Sequence, residues 1–206
     1  MDGEMVRDTA LFLGGLLVEK IGGKSVKPYE PTGLWEAVSF NNSQKYVQDT
    51  GESNYRRSLY TYWKRQSPPP NMLIFDAATR EYCVVKRPRT NTPLQALVVL
   101  NDPQFVEAAR AFVTRMMTEG GAAAEDRIRW AFRKATSRMP TAEEVGILRA
   151  VFDEQLADFQ KNADAANQLL SVGAFQPQAS LDKGELAAWT TVATMLLNLD
   201  ETMTKG

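Results

Sequence analysis

Apolar residues recur at helical spacing along most of the chain, and the clearest instance lies near its centre. In RPRTNTPLQALVVLNDPQFVEAARAFVTRMM, residues 87–117, Thr92-Pro93 and Asp102-Pro103 each put a capping oxygen just before a proline. A cap that accepts an orphan N–H, followed by a residue with no N–H to lose, predicts two helix starts. After Pro103, the residues Phe105, Ala108/Ala109, Phe112/Val113 and Met116 share one helical face, which predicts a helix with a single buried side. Between the caps, LQALVVL is apolar all round and predicts an element buried on most sides.

The same pattern extends outward in both directions. Glu4 to Lys20 has helical spacing through Met5, Leu11/Phe12, Leu16 and Val18, interrupted by Gly14-Gly15. Such a glycine pair costs helix stability and permits close approach of another element. A proline-punctuated loop, SVKPYEPTG, has polyproline character and leads to a short helix capped by Thr32, with Leu34, Trp35 and Val38 docking on the core. Lys45 to Gln48 and Asn54 to Arg57 can pair as a small hairpin across Asp49-Thr50-Gly51-Glu52. YRRSLYTYWKR, from Tyr55 to Arg65, predicts a helix stopped by Ser67-Pro68-Pro69-Pro70. MLIFD is a strand or an anchoring loop, Ala77 to Arg80 one helical turn, and EYCVVKR an extended stretch.

Beyond Gly120-Gly121 the chain becomes regular. Ala123 to Ser137 predicts a helix with Ile128, Ala131/Phe132 and Ala135 inward, and Thr141 with Glu144 forms a capping box that starts the longest helix. Its apolar face carries Val145, Leu148, Val151/Phe152, Leu156 and Phe159. A short helix in NADAANQLLSVG, a loop over 174–184, and a last helix from Glu185 to about Thr204 complete the pattern. The expectation is a mostly α fold: an irregular helical bundle with long loops and at most a small β-hairpin. Residues 1–120 form its loop-rich part with the central motif. Residues 121–206 form a C-terminal helical bundle packed on it, in one continuous domain.

Composition mainly excludes. The 206 residues include no histidine, which removes histidine bases, Ser-His or Cys-His nucleophiles and histidine metal ligands. The single cysteine, Cys83, allows no internal disulfide or zinc cluster, and its apolar neighbours predict a buried, unreactive thiol. No cofactor is implied. ALFLGGLLV is too short to span a bilayer, and the acidic start MDGE is the wrong flank for a signal peptide. A net charge of −1 and a pI near 5.7 exert no overall pull on nucleic acid or anionic membrane. Charge is uneven, however. Between Tyr55 and Arg89 eight basic residues face two acids, whereas from Thr141 onward four basic residues face ten acids.

Three stretches carry a resemblance: YRRSLYTYWKRQSPPPNMLIFDAATREYC, RTNTPLQALVVLNDPQFVEAAR, and near the end ELAAW with LLNLDE. They closely resemble the C-terminal domain of unknown function in large, exported planctomycete-type proteins, and the likeness runs from Glu4 onward. Such proteins often also carry a cytochrome-c-like domain and a second partner domain. The resemblance therefore implies a cell-envelope or extracellular setting and a redox-linked neighbour domain. Family members have a further stretch upstream, which implies that this chain is the C-terminal part of a larger polypeptide or a shortened reading frame. The closing motif usually has an aromatic after LLNLDE, where this chain has Thr202. The resemblance supplies no reaction.

The candidate ligand-binding residues are Arg56, Arg57, Tyr60, Trp63, Arg87, Arg89 and Asn91. Guanidinium groups in such a cluster can grip a carboxylate, sulfate or phosphate while Tyr60 or Trp63 supplies a stacking wall. The structural reading, in which the arginines pin loops to acids or helix carbonyls, is favoured because internal ion-pair networks imitate sites. No catalytic residues are assigned, since the carboxylate pairs Asp49/Glu52 and Asp200/Glu201 read as solvated. The function expected is a non-catalytic helical interaction or ligand-binding domain. Its partners are upstream domains of the same polypeptide or a cell-envelope protein, with an acidic carbohydrate as a further ligand and no nucleic acid. The alternative is an enzyme module acting on acidic or sulfated polysaccharide, with its site in the basic loop.

Overall fold

A computed structural model describes residues 1–177 and 179–204. Gln178, in the loop expected over 174–184, and the last two residues lie outside them. Among the described residues ten α-helices dominate, as the periodicity predicts. They are α1 (Gly3–Gly14), α2 (Leu34–Ala37), α3 (Pro70–Ile74), α4 (Pro93–Asn101), α5 (Pro103–Glu119), α6 (Ala124–Thr136), α7 (Ala142–Lys161), α8 (Ala163–Leu170), α9 (Lys183–Leu197) and α10 (Asp200–Met203). The chain forms two compact units, one of residues 1–9 with 17–98, the other of residues 10–16 with 99 onward.

The unit containing residues 99 onward is built around α9, which packs on α5, α6, α7, α8 and α10. Leu186, Ala187, Ala188, Trp189, Val192 and Leu196 are fully buried, so α9 is apolar on nearly every side that meets a neighbour. Trp189 stacks on Phe152 of α7 with ring centroids 3.8 Å apart. The predicted face of α5 is buried throughout, from Phe105 to Met116. Two of the expected caps are present in this unit, whereas the Thr32 cap expected for α2 does not form and Gly33, at φ 86°, stands at that position. Asp102 accepts from the Gln104 N–H, and Thr141 and Glu144 close a capping box at the start of α7. Gly14 closes the approach of α1 to α5, because a Cβ there would lie 2.9 Å from the Ala108 carbonyl oxygen. The last helix is shorter than its pattern suggests. It ends at Asn198 and restarts as α10, where the buried Thr202 donates to the Leu196 carbonyl at 2.8 Å.

The other unit departs further from expectation. No hairpin forms over 45–57; Gly51–Tyr55 is a 3-10 turn. Tyr55 to Arg65 is not an α-helix either, but an extended strap with one 3-10 turn at Ser58–Tyr60. Its carbonyls at Tyr55 and Tyr60 accept from the N–H groups of Val18 and Val26, giving isolated parallel bridges Val18–Arg56 and Val26–Thr61. Hydrogen bonds from a distant segment thus replace the internal ones a helix would make. MLIFD is neither strand nor loop: proline at the first turn starts α3, which buries Met72 and, just past its end, Phe75. Ala77 to Arg80 bends with Arg80 at φ 63° and makes no helical turn.

Three burial expectations also fail, the first at Val38, expected to dock beside Trp35 but 43% exposed. Met5 and Phe12 of α1 are exposed, and the buried stripe is Val6, Ala10, Leu11 and Leu13. In α4 Val99 is buried while Leu94, Leu97 and Leu100 are 54%, 54% and 40% exposed. The covered face of α4 carries its polar Gln95, 3% exposed and hydrogen-bonded, so hydropathy points to the wrong side of this helix.

Candidate functional site

The basic middle of the chain is laid out on α1 and the loops that wrap its first turns. Arg7 of α1 is buried and donates to the carbonyls of Asn54 at 2.6 Å and Arg56 at 2.9 Å, and to the Ser58 hydroxyl at 3.1 Å. Asp8 accepts from the Ser58 N–H at 2.7 Å. These residues orient the strap that carries Arg56, Arg57 and Tyr60. Sequence reasoning passed over Arg7, although a cation beside Val6 on an apolar stripe is a signal that it has fixed internal acceptors.

Each candidate residue is held by its own set of partners. Arg56 is buried and donates to the carbonyls of Lys20, Gly22 and Lys24 at 2.6 to 2.9 Å, with its guanidinium 3.9 Å from the Tyr60 ring centroid. Tyr60 accepts from the Gly22 N–H at 2.8 Å, so Arg56 and Tyr60 together close the 20–24 turn. Arg57 pairs with Glu19 at 2.7 Å on the surface. Trp63 donates its indole N–H to the Thr79 carbonyl at 3.0 Å and lies under Arg80. Arg87 pairs with Glu4 at 2.8 Å and Arg89 with Asp2 at 3.2 Å. Both acids lie at the N-terminal end of α1, where carboxylates are also favoured by the helix dipole. Asn91 is exposed.

The loop from Arg87 to Thr92 is fixed by a short polar chain. Asp76, at φ 59°, accepts from both the N–H and the hydroxyl of Thr90 at 2.7 Å. Buried Gln95 donates to the Thr90 hydroxyl and to the Ile74 carbonyl, and exchanges cap hydrogen bonds with Thr92. Around this loop Asp2, Lys86, Arg87, Pro88 and Arg89 line an open cleft of about 790 Å³. Cys83 lies in the same exposed stretch as Tyr82, Val84 and Val85. Its expected burial is therefore overturned: apolar neighbours in sequence bury a thiol only if the segment itself is covered.

A further group of perturbed titratable side chains lies around Trp35 of α2. Tyr46 and Tyr62 flank the indole at 5.2 and 5.6 Å, and the Lys27 and Lys64 ammonium groups lie 4.9 and 4.4 Å from it. Burial raises the proton affinity of Glu30, offset in part by a hydrogen bond from the Trp35 indole and by Lys64 and Lys27. Burial, with Glu30 and Asp49 nearby, likewise holds the Tyr46 phenol protonated, and its hydroxyl donates to the Pro28 carbonyl. Glu30 Oε1, Trp35 Nε1 and Lys64 Nζ are all enclosed away from solvent. The group can exchange a proton at Glu30, with Trp35 and Lys64 as the polar groups that face its carboxyl. Only Trp35 was singled out in the sequence, as a core residue. Lys27, Glu30, Tyr46 and Lys64 are spread over three loops with no common spacing.

These features define a class: a helical domain whose irregular part is tied down by buried arginine and glutamine side chains. The chain belongs to the PSD1 family, described as protein of unknown function (DUF1553), which matches residues 1–152. No curated protein and no solved structure matches it. Among the described residues no helix is long and apolar enough to cross a membrane.

Proposed function

We propose that this chain is a non-catalytic helical interaction domain, the C-terminal part of a larger exported polypeptide, docking on that polypeptide's upstream part. The observation that carries the reading is the exposed apolar face of α4, where Leu94 and Leu97 lie one turn apart and each is 54% exposed. Contiguous exposed apolar surface marks docking sites. The loop before it adds exposed Tyr82 and Val85. The arginines support the same reading, because Arg56 is spent on backbone carbonyls and Arg87 and Arg89 on acids of α1. The likeness to planctomycete-type proteins with cytochrome-c-like domains suggests an envelope setting and a redox-linked neighbour.

A photo-crosslinking amino acid at position 97, in the chain expressed together with the upstream part, tests this. The expected product is a crosslink to the upstream part that is lost when Leu94 is also changed to Ser. Absence of that crosslink overturns the reading. A second reading, binding of acidic or sulfated polysaccharide at the basic loop, draws on the cleft lined by Lys86, Arg87 and Arg89. It requires a sulfated oligosaccharide to bind the chain and Arg89→Ala to remove that binding without lowering stability.

A further inference from the structure

The outer face of α6 carries a second surface, distinct from the leucine face of α4. Arg129, Trp130, Arg133, Lys134 and Ser137 recur at positions i, i+1, i+4, i+5 and i+8, which places them on one side of the helix. The other side is fixed in the core, with Ile128, Ala131 and Phe132 buried. With Met139 just beyond the helix, these residues line a groove of about 680 Å³. Trp130 rests on Phe112 of α5 at 5.7 Å, and Lys134 lies 5.4 Å from its ring. Met139 is 54% exposed.

The floor of this groove is therefore apolar and its rim cationic. Among the described residues, Arg129 alone of the three rim cations has a carboxylate, Asp126, at 3.3 Å, and that pair is itself exposed. The neighbouring acids are engaged by other cations: Glu119 with Arg115, whose guanidinium lies 5.7 Å from the Trp130 ring, and Glu125 with Arg149. Ser137 ends the helix at φ 66°, and the turned chain beyond it contributes Met139 to the lining. The cations also lie toward the C-terminal end of α6, where the helix dipole favours positive side chains. Their presence is thus cheap to the fold, and their charge remains available outward.

We propose that the α6 groove binds an acidic polypeptide segment that carries a large apolar side chain. Charge complementarity selects the occupant: carboxylates meet Arg129, Arg133 and Lys134 at the rim while the apolar side chain covers Trp130 and Met139. A flat anionic bilayer would leave the concave floor uncovered. A sulfated glycan would satisfy the rim and present hydroxyls to the Met139 thioether.

The test is a random-peptide display selection against the full chain, counter-screened on Arg133→Ala/Lys134→Ala. Both substitutions fall at exposed helix positions, and circular dichroism and melting temperature identify any loss of fold. The expected outcome is enrichment of peptides that combine Asp or Glu with Leu, Ile, Phe or Trp. A synthesised representative should bind about tenfold more weakly to the double variant and weaken as salt is raised. Changing its apolar residue to Ser should weaken it comparably. Selected peptides without acidic residues, peptides indifferent to the double substitution, or no enrichment at all would overturn the proposal. So would a heparin hexasaccharide that binds as tightly as the peptide and depends on the same two cations, since that marks a general polyanion surface.

Discussion

At the scale of single residues, what decides an arginine's role is how much of it is buried with its acceptors. Arg56 is 6% exposed and donates to three carbonyls in the 20–24 turn, whereas the Arg89 side chain is 68% exposed and meets one carboxylate. Hydrogen bonds from a charged donor held out of water are each worth about 1.5–3 kcal/mol, though the freed carbonyls here can recover water. An exposed ion pair is worth about 0–1 kcal/mol. Arg56→Ala is accordingly expected to cost about 2 kcal/mol, a drop of about 6 °C in melting temperature. Arg89→Ala should stay within about 0.5 kcal/mol of the parent. Thermal melts of the two variants beside the parent measure this, and equal losses would mean that Arg56 does not hold the turn.

At the scale of elements, α6, α7 and α10 are tied by one side chain at their ends. Arg138, just past α6, donates to both oxygens of Glu144 in the α7 capping box and to both oxygens of Glu201 in α10. These hydrogen bonds, with that from the Thr141 N–H, pull the Glu144 carboxyl down to about 2, and Arg138 lowers Glu201 as well. Carboxyls depressed in the folded state stabilise it above their unfolded value, near the reference 4.5, and lose that contribution as pH falls toward about 2. Arg138→Met should therefore melt lower than the parent at neutral pH. The gap should close as pH is lowered through that window and as salt is raised, because the groups are exposed. A gap that stays constant from neutral to acid pH would show that the fork does not tie the helix ends.

At the scale of the whole molecule, a net charge of −1 gives little mutual repulsion, and none at the pI near 5.7. Exposed Leu94, Leu97, Tyr82 and Val85 then favour association. Static light scattering should show self-association that is strongest near that pH, and Leu94→Ser/Leu97→Ser should reduce it without changing the melting temperature. Identical scattering from parent and variant would mean that the leucine face contributes nothing to contacts between molecules.

The chain's own pattern was sufficient for the helices that carry local signals in full. α5 and α7 have a cap, a proline or capping box, and one apolar stripe, so their starts and buried faces follow from residues within a few positions of each other. The same local completeness made the mostly α architecture legible. The strap from Tyr55 to Arg65 was not, because its hydrogen-bond partners are Val18 and Val26 and its orientation depends on Arg7. The exposure of α4's leucines and of Cys83 was equally hidden, since an apolar segment states a preference for burial without naming what covers it. Of the candidate site residues, the sequence placed Arg87 and Arg89 on a loop leading into the Thr92 cap, but not against Glu4 and Asp2. The Trp35 cluster and the α6 groove arise in different ways. Lys27, Glu30 and Lys64 meet around Trp35 only through tertiary folding. The α6 cations already share a helical face, and folding decides that this face remains uncovered.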